Sequence, residues 1–344
     1  MSGARKFLVW MHAPEYPVWQ LPPEAAEEIR AALGPDWRLV ALEEEGYFAG
    51  DGARRVPDRL LEEIVDAEVY CGFGIPREAF RAAGRLRWIH SGAAGVDVFP
   101  ELRESDVTLT NSAGLHAEPM AEHALAVMLH FARGLDVALA AGREGRWAHP
   151  ELAGRGSPVR ELAGRTVGVV GYGGIGSAVG RKAGALGMRV VATRRDPSGD
   201  PPQEVDRMLG PDGLDRLLEA ADYVVLSVPA TPATDGLIGL RELSRMGQDA
   251  VLINLARGEV LDQEALVETL REDGLRGAGL DVFDEEPLPP GHPLWEMDRV
   301  VVTPHTGGIS PRFWERETEL VVENVRRYRE GEPLLNVVDK TRGY

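Results

Sequence analysis

The chain has 344 residues, room for two domains at roughly 150 residues each. Apolar residues make up 44% and charged residues 27%, ordinary globular values that exclude a disordered tail, a collagen-like fibre or a disulfide-stapled miniprotein. Lys and Arg number 38 against 55 Asp and Glu, and the resulting charge of −17 suits neither a nucleic-acid backbone nor an anionic membrane.

In chain order, residues 6–11 read as a strand and Pro23–Leu33 as a helix with proline at its start. Residues 37–42, 67–72 and 86–90 read as further strands, the last running into the glycine-rich turn Ser91-Gly92-Ala93-Ala94-Gly95. A helix is predicted over 118–135, because Met120, Ala124, Val127, Met128 and Phe131 keep the spacing of one helix face. From Arg165 the alternation sharpens. Strands are predicted at Thr166–Val170, 188–193, 223–228, 251–255, 278–282 and 300–303, with helices between them, for example Gln263–Arg271. Apolar strands separated by helices imply a parallel sheet covered on both faces. A helix with one charged side is expected over 311–329.

The lone cysteine, Cys71, has no partner for an internal disulfide and points to a reducing cytosol. No apolar run approaches the ~20 residues of a membrane span, and the N-terminal apolar run is too short for a signal peptide. The eight histidines lack metal-ligand spacing, so no catalytic metal is expected.

Gly171, Gly173 and Gly176 fit G-x-G-x-x-G, with Gly174 and Ile175 between them, after a strand and before a helix. That context points to a dinucleotide. The first glycine permits the tight turn, the second admits the pyrophosphate, and the third lets helix and strand close up. At the end of the second strand, where a ribose-binding acid is usual, stand Thr193, Arg194 and Arg195. Cationic donors there suit a 2′-phosphate, so NADP(H) is favoured over NAD(H), although Asp196 follows closely.

Three more residues stand at strand ends: Arg257 before Gly258, Glu286 before Pro287, and His305 after Pro304. Ligands of open parallel sheets bind outside the carboxyl ends of strands, so all three are candidates for one crevice. Together with the Gly-Ala-Ala-Gly-Val-Asp turn at 92–97, the glycine turn and the Val-Pro-Ala-Thr-Pro-Ala-Thr segment at 228–234, they make the chain resemble the D-isomer-specific 2-hydroxyacid dehydrogenases over nearly its whole length.

The resemblance implies two doubly wound, parallel-sheet α/β domains, Rossmann-like or flavodoxin-like, with an active-site cleft between them. Residues 1–112 with 306–344 would form the substrate-binding domain and 113–305 the inserted dinucleotide-binding domain. It implies a homodimer formed through the nucleotide domains. By resemblance, Arg257 binds and polarises a 2-keto acid, Glu286 pairs with the histidine, and His305 is the general acid/base. Asp281 would contact the nicotinamide amide. Val228, Pro229 and Thr234 would line the cofactor site, and the backbone amides at Ala94 and Gly95 would take the substrate carboxylate.

The expected reaction is reduction of a small 2-keto acid, glyoxylate- or hydroxypyruvate-like. The side-chain pocket is expected from loops holding Tyr47 and Phe73, with Trp314 from the last helix; His116 is a further candidate, and His123 is read as helix packing. The alternatives are an NAD-linked D-2-hydroxyacid oxidation of phosphoglycerate type and a nucleotide-sensing, corepressor-like binding protein. The short tail after the last helix points away from multi-domain phosphoglycerate dehydrogenases.

Overall fold

Short apolar runs alternate with helices throughout the computed structural model, which describes residues 4–14, 16–44, 56–96 and 98–343. They build two units: Met1–His116 with Ile309–Tyr344, and Ala117–Gly308.

In the first unit five parallel strands, β1 (Arg5–Trp10), β2 (Trp37–Ala41), β3 (Val69–Gly72), β4 (Trp88–Ser91) and β5 (Thr108–Asn111), lie in the order β2-β1-β3-β4-β5. That is the flavodoxin-like winding. The period-two alternation of β1 sends Phe7 and Val9 to one face and Leu8 and Trp10 to the other, and each pair joins a separate apolar layer. The last helix, Phe313–Glu330, returns to this unit and buries Phe313, Val321 and Val325 in the layer holding Phe7.

The second unit holds seven parallel strands: β6 (Thr166–Val170), β7 (Arg189–Thr193), β8 (Arg207–Leu209), β9 (Tyr223–Leu226), β10 (Val251–Asn254), β11 (Gly277–Leu280) and β12 (Val300–Val302). Their order is β12-β11-β10-β9-β6-β7-β8, the Rossmann arrangement with one further strand. Chain direction across the sheet reverses between β6 and β9, which makes their carboxyl ends the ligand-binding switch point. The glycines of β11 let the helix Ala117–Ala132 press close: a Cβ on Gly279 would stand 2.5 Å from Val127.

Two details differ from the sequence reading. The helix expected over 118–135 ends at Ala132, because Gly134 takes a left-handed φ of 64° and starts a second helix, Leu135–Arg143. The unit boundaries lie a few residues beyond 112 and 305. His116 stacks on Phe313 at 5.5 Å and the Leu115 carbonyl accepts from Arg316, so 113–116 stay with the first unit. The Thr306 and Gly307 amides donate to Asp281, so 306–308 stay with the second.

Candidate active site

The glycine turn follows β6 in the form its sequence requires. Gly171 sits at φ 98°, where a Cβ would stand 2.7 Å from Val228 and 2.9 Å from the Ser227 carbonyl. A Cβ on Gly176 would stand 2.2 Å from the Gly171 carbonyl, so only glycine lets the helix Gly174–Ala185 start this close to the strand. Gly173 is the opposite case: nothing lies within 4 Å of the Cβ it lacks. Open space there, at the amides of Gly174 and Ile175 and the positive end of a helix, fits a pyrophosphate. Thr193, at the end of β7, is buried and acts as a peg under the turn. Its carbonyl accepts from Gly171 and Tyr172 (3.2 and 2.7 Å) and its hydroxyl oxygen from Gly171.

Beyond Thr193, Arg195 is exposed and Arg194 half-buried. One Arg194 nitrogen donates to the Ser198 carbonyl, while its Nε is buried without a partner among the described residues. The Asp196 carboxylate accepts from the Ser198 amide at 3.0 Å and so closes its own loop. Val228 lies against Gly171, and Thr234 holds the loop after β9 together, donating to the Pro229 carbonyl at 2.6 Å and accepting from the Thr231 amide.

His305 lies on the loop after β12. It adopts φ 53°, a conformation uncommon for a side chain with a Cβ, and the loop around it is clamped. Its amide donates to the Asp281 carbonyl at 2.9 Å. The buried Asp281 carboxylate then accepts from the Thr306 and Gly307 amides, both at 2.9 Å, and from the Thr303 hydroxyl at 2.6 Å. With its proton given to Asp281, the Thr303 oxygen accepts from His123 Nε2 at 3.2 Å, so His123, read from the sequence as helix packing, also hydrogen-bonds to this loop.

His305 Nδ1 meets Glu286 Oε2 at 2.8 Å. The carboxylate can only accept when ionised, which puts hydrogen on Nδ1 and leaves Nε2 as the nitrogen that exchanges a proton. Asp284 and Glu285, neighbours in the same acidic run, are exposed. Burial alone would raise the Glu286 carboxyl. The His305 bond and charge, the Phe283 amide at 3.1 Å and the charge of Arg257 outweigh it and hold Glu286 below its ordinary value.

Arg257 follows β10. Its carbonyl accepts from the side chain of buried Asn254 at 3.0 Å, and its Nη1 donates to the Ala256 carbonyl. Gly258 lies so near the next loop that a Cβ would stand 2.1 Å from the Phe283 carbonyl. This close approach brings the Arg257 and Glu286 loops together. Asn254 as a staple escaped the sequence reading; an amide at a strand end carries no distinctive pattern.

In the first unit, the turn after β4 holds Ala94 and Gly95, the residues expected to take the substrate carboxylate. The Ala93 carbonyl accepts from the Ser112 amide at 3.2 Å, and the Ala94 carbonyl from Asn111 Nδ2 at 2.6 Å. In a trans peptide the N–H points opposite to the C=O, so the Ala94 and Gly95 amides turn away from β5. Neither has a partner among the described residues. Two consecutive amides without a partner are open to an anion such as a carboxylate. Asp97 of the same motif and Tyr47 lie outside the described residues. Phe73 and His116 both pack around Phe313 and Trp19, and Trp314 packs on Phe313 with its Nε1 buried and without a partner among the described residues. Among the described residues, no group of three His, Cys, Asp or Glu is placed to hold a metal, and no single helix is long and apolar enough to cross a membrane.

Comparison with known proteins matches residues 125–307 to the family described as D-isomer specific 2-hydroxyacid dehydrogenase, NAD binding domain. The chain is 36% identical to a glyoxylate reductase of Korarchaeum cryptofilum, over 82% of this chain and 81% of the relative. Among solved structures it is similar to a D-isomer specific 2-hydroxyacid dehydrogenase from Xanthobacter autotrophicus Py2 in complex with NADPH (TM-score 0.78, 32% identity, 100% of both chains). It is also similar to an NADPH-dependent glyoxylate/hydroxypyruvate reductase from Sinorhizobium meliloti in complex with NADP and sulfate (TM-score 0.77, 27% identity, 99% and 100% of the two chains).

Proposed function

Because the chain belongs to the D-isomer-specific 2-hydroxyacid dehydrogenases, a family of oxidoreductases, we propose that it reduces a small 2-keto acid of glyoxylate or hydroxypyruvate type with NADPH. The observation that carries this reading is the His305–Glu286 pair at 2.8 Å, held at a strand end by the Asp281 clamp with Arg257 on the adjacent loop.

A bound nicotinamide nucleotide supplies the hydride that reaches C2 of the keto acid. The chain's residues handle everything else. Gly173, Gly174, Ile175 and the helix they open receive the pyrophosphate. Arg194 and Arg195 offer cations to a 2′-phosphate, which is the reason for preferring NADPH; the two relatives solved with NADP or NADPH support it. The open side of the turn at Ala94 and Gly95 takes the substrate carboxylate. Negative charge grows on the carbonyl oxygen as C2 is reduced, and the Arg257 guanidinium stabilises it. His305 Nε2 gives its proton to that oxygen. Glu286 accepts from Nδ1 and fixes the orientation of the ring, so that Nε2 is the nitrogen presented to the substrate. Asp281 orients the histidine loop through its backbone contacts, in addition to the contact with the nicotinamide amide that the resemblance implies.

The reading includes a homodimer in the cytosol. Leu135 and Leu139 are 45% and 55% exposed on the helix Leu135–Arg143, and Trp147 just beyond it is 86% exposed, large apolar side chains of the kind a second copy covers.

The test is kcat/KM for NADPH and NADH over a panel of 2-keto acids. Turnover with glyoxylate or hydroxypyruvate and a clear preference for NADPH is expected. A strong NADH preference overturns the cofactor assignment, and no turnover with any acid overturns the activity.

A further inference from the structure

Beneath the 91–95 turn runs a line of buried polar side chains that the mechanism does not use. Trp88 and His90 come from β4, Thr110 from β5, Ser112 from just beyond it, and Glu317 from the last helix. All five are buried. Trp88 Nε1 lies 2.8 Å from Thr110 Oγ1, which lies 2.8 Å from His90 Nδ1. His90 Nε2 lies 3.0 Å from Glu317 Oε1, Glu317 Oε2 2.6 Å from Ser112 Oγ, and Ser112 Oγ 3.0 Å from the Ser91 carbonyl.

The polarity of this line can be worked out. An indole N–H only donates, so Thr110 accepts from Trp88. The Thr110 proton goes to His90 Nδ1 at 2.8 Å rather than to the Ile89 carbonyl at 3.4 Å. His90 then carries its hydrogen on Nε2 and donates to Glu317 Oε1. If Oε2 carries a proton it donates to Ser112, whose own proton reaches the Ser91 carbonyl. Every donor in the line has one acceptor and no net charge is buried.

Other protonation states fit less well. An ionised Glu317 would take the single Ser112 proton and leave the Ser91 contact without hydrogen. It would also bury a charge whose only partners among the described residues are His90 and Ser112. An imidazolium at His90 would force the Thr110 proton onto the 3.4 Å contact.

We propose that Glu317 is held as the neutral carboxylic acid, and that this one-way line of hydrogen bonds makes Glu317 and Ser112 positioning residues for the substrate-carboxylate turn. The proposal rests on the reading of that turn given above. The line ends on the Ser91 carbonyl at the start of the turn, next to the points where the Ser112 backbone amide holds the Ala93 carbonyl and Asn111 Nδ2 the Ala94 carbonyl, so it fixes the segment from which the two free amides are directed.

Infrared difference spectra of the whole protein against Glu317→Gln, in heavy water at neutral pH, test the protonation state without using the substrate. The wild type is expected to show the carbonyl band of a protonated acid, lost in the variant; its absence overturns the neutral acid. Steady-state kinetics test the positioning. Ser112→Ala and Glu317→Leu each break the line and are expected to raise the keto-acid KM roughly tenfold or more, the cost of a broken buried hydrogen bond, with kcat and NADPH affinity near wild type. Glu317→Gln should rescue the KM, since its amide accepts from His90 and donates to Ser112. If it is as impaired as Glu317→Leu, or if Ser112→Ala leaves KM unchanged, the proposal is wrong. Ala94→Pro removes one amide of the turn itself. An unchanged keto-acid KM in that variant overturns the reading of the turn, whatever the infrared band shows.

Discussion

At the scale of single residues, the account depends on which nitrogen of His305 faces Glu286. Nδ1 does, and Nε2 is left to meet the substrate. His305→Ala is therefore expected to lower kcat by about 10²–10⁴-fold, the usual worth of a positioned proton donor, with NADPH affinity unchanged. In Glu286→Gln the Nδ1–H bond loses its charged acceptor, so kcat should fall as well, with NADPH affinity near wild type. The same pair carries a stability effect. The folded Glu286 carboxyl binds its proton more weakly than the unfolded chain, so its contribution is present above the ordinary value of 4.5 and drains as pH falls further. Thermal melts across that range check the sign, because Glu286→Gln should flatten the loss. Histidine, glutamate and arginine were legible in the sequence because each stands at a strand end beside proline or glycine. Within the acidic run 284–286 the resemblance selected Glu286, and the geometry supplies the reason: Asp284 and Glu285 are exposed. Glu317 was not legible, since one acid on a helix rich in acids and arginines carries no local mark of burial.

At the scale of elements, β11 and the loop after β12 form one device. Asp281 accepts three hydrogen bonds from residues 303–307 and holds His305 in its left-handed conformation. Asp281→Asn leaves one acceptor oxygen for donors now spread over two. A buried donor without a partner costs about 1–3 kcal/mol, and at roughly 2–4 °C per kcal/mol the melting temperature should fall by several degrees. Kcat should fall with it; a variant with the wild-type melt and rate would remove the clamp from the account. The strands around this device were readable as apolar runs. β8 (Arg-Met-Leu) and β5 (Thr-Leu-Thr-Asn) were missed because polar residues interrupt them, leaving no apolar run of the kind that marked the other short strands. Gly134 misled in the other direction: the apolar spacing runs across it, but its backbone turns and the helix stops.

At the scale of the whole molecule, the two units share a plan. Each is a doubly wound parallel sheet, and each presents candidate ligand groups at strand ends: the amides after β4 in one, the glycine turn, Arg257 and His305 in the other. The plan was legible from alternating strands and helices, whereas strand order depends on pairings between segments far apart in the chain, which no local pattern encodes. Exposed apolar side chains on the second unit lead to a prediction about assembly. Trp147→Ser is expected to shift the proposed dimer toward monomer in light scattering; an unchanged oligomeric state would contradict an interface at this surface. The central claim, a D-specific keto-acid reductase, is tested most directly by its product. Incubated with NADPH and hydroxypyruvate, the purified protein should consume the cofactor and form D-glycerate in equal amount. Formation of L-glycerate, or no oxidation of NADPH with hydroxypyruvate or any other small 2-keto acid, would contradict the account.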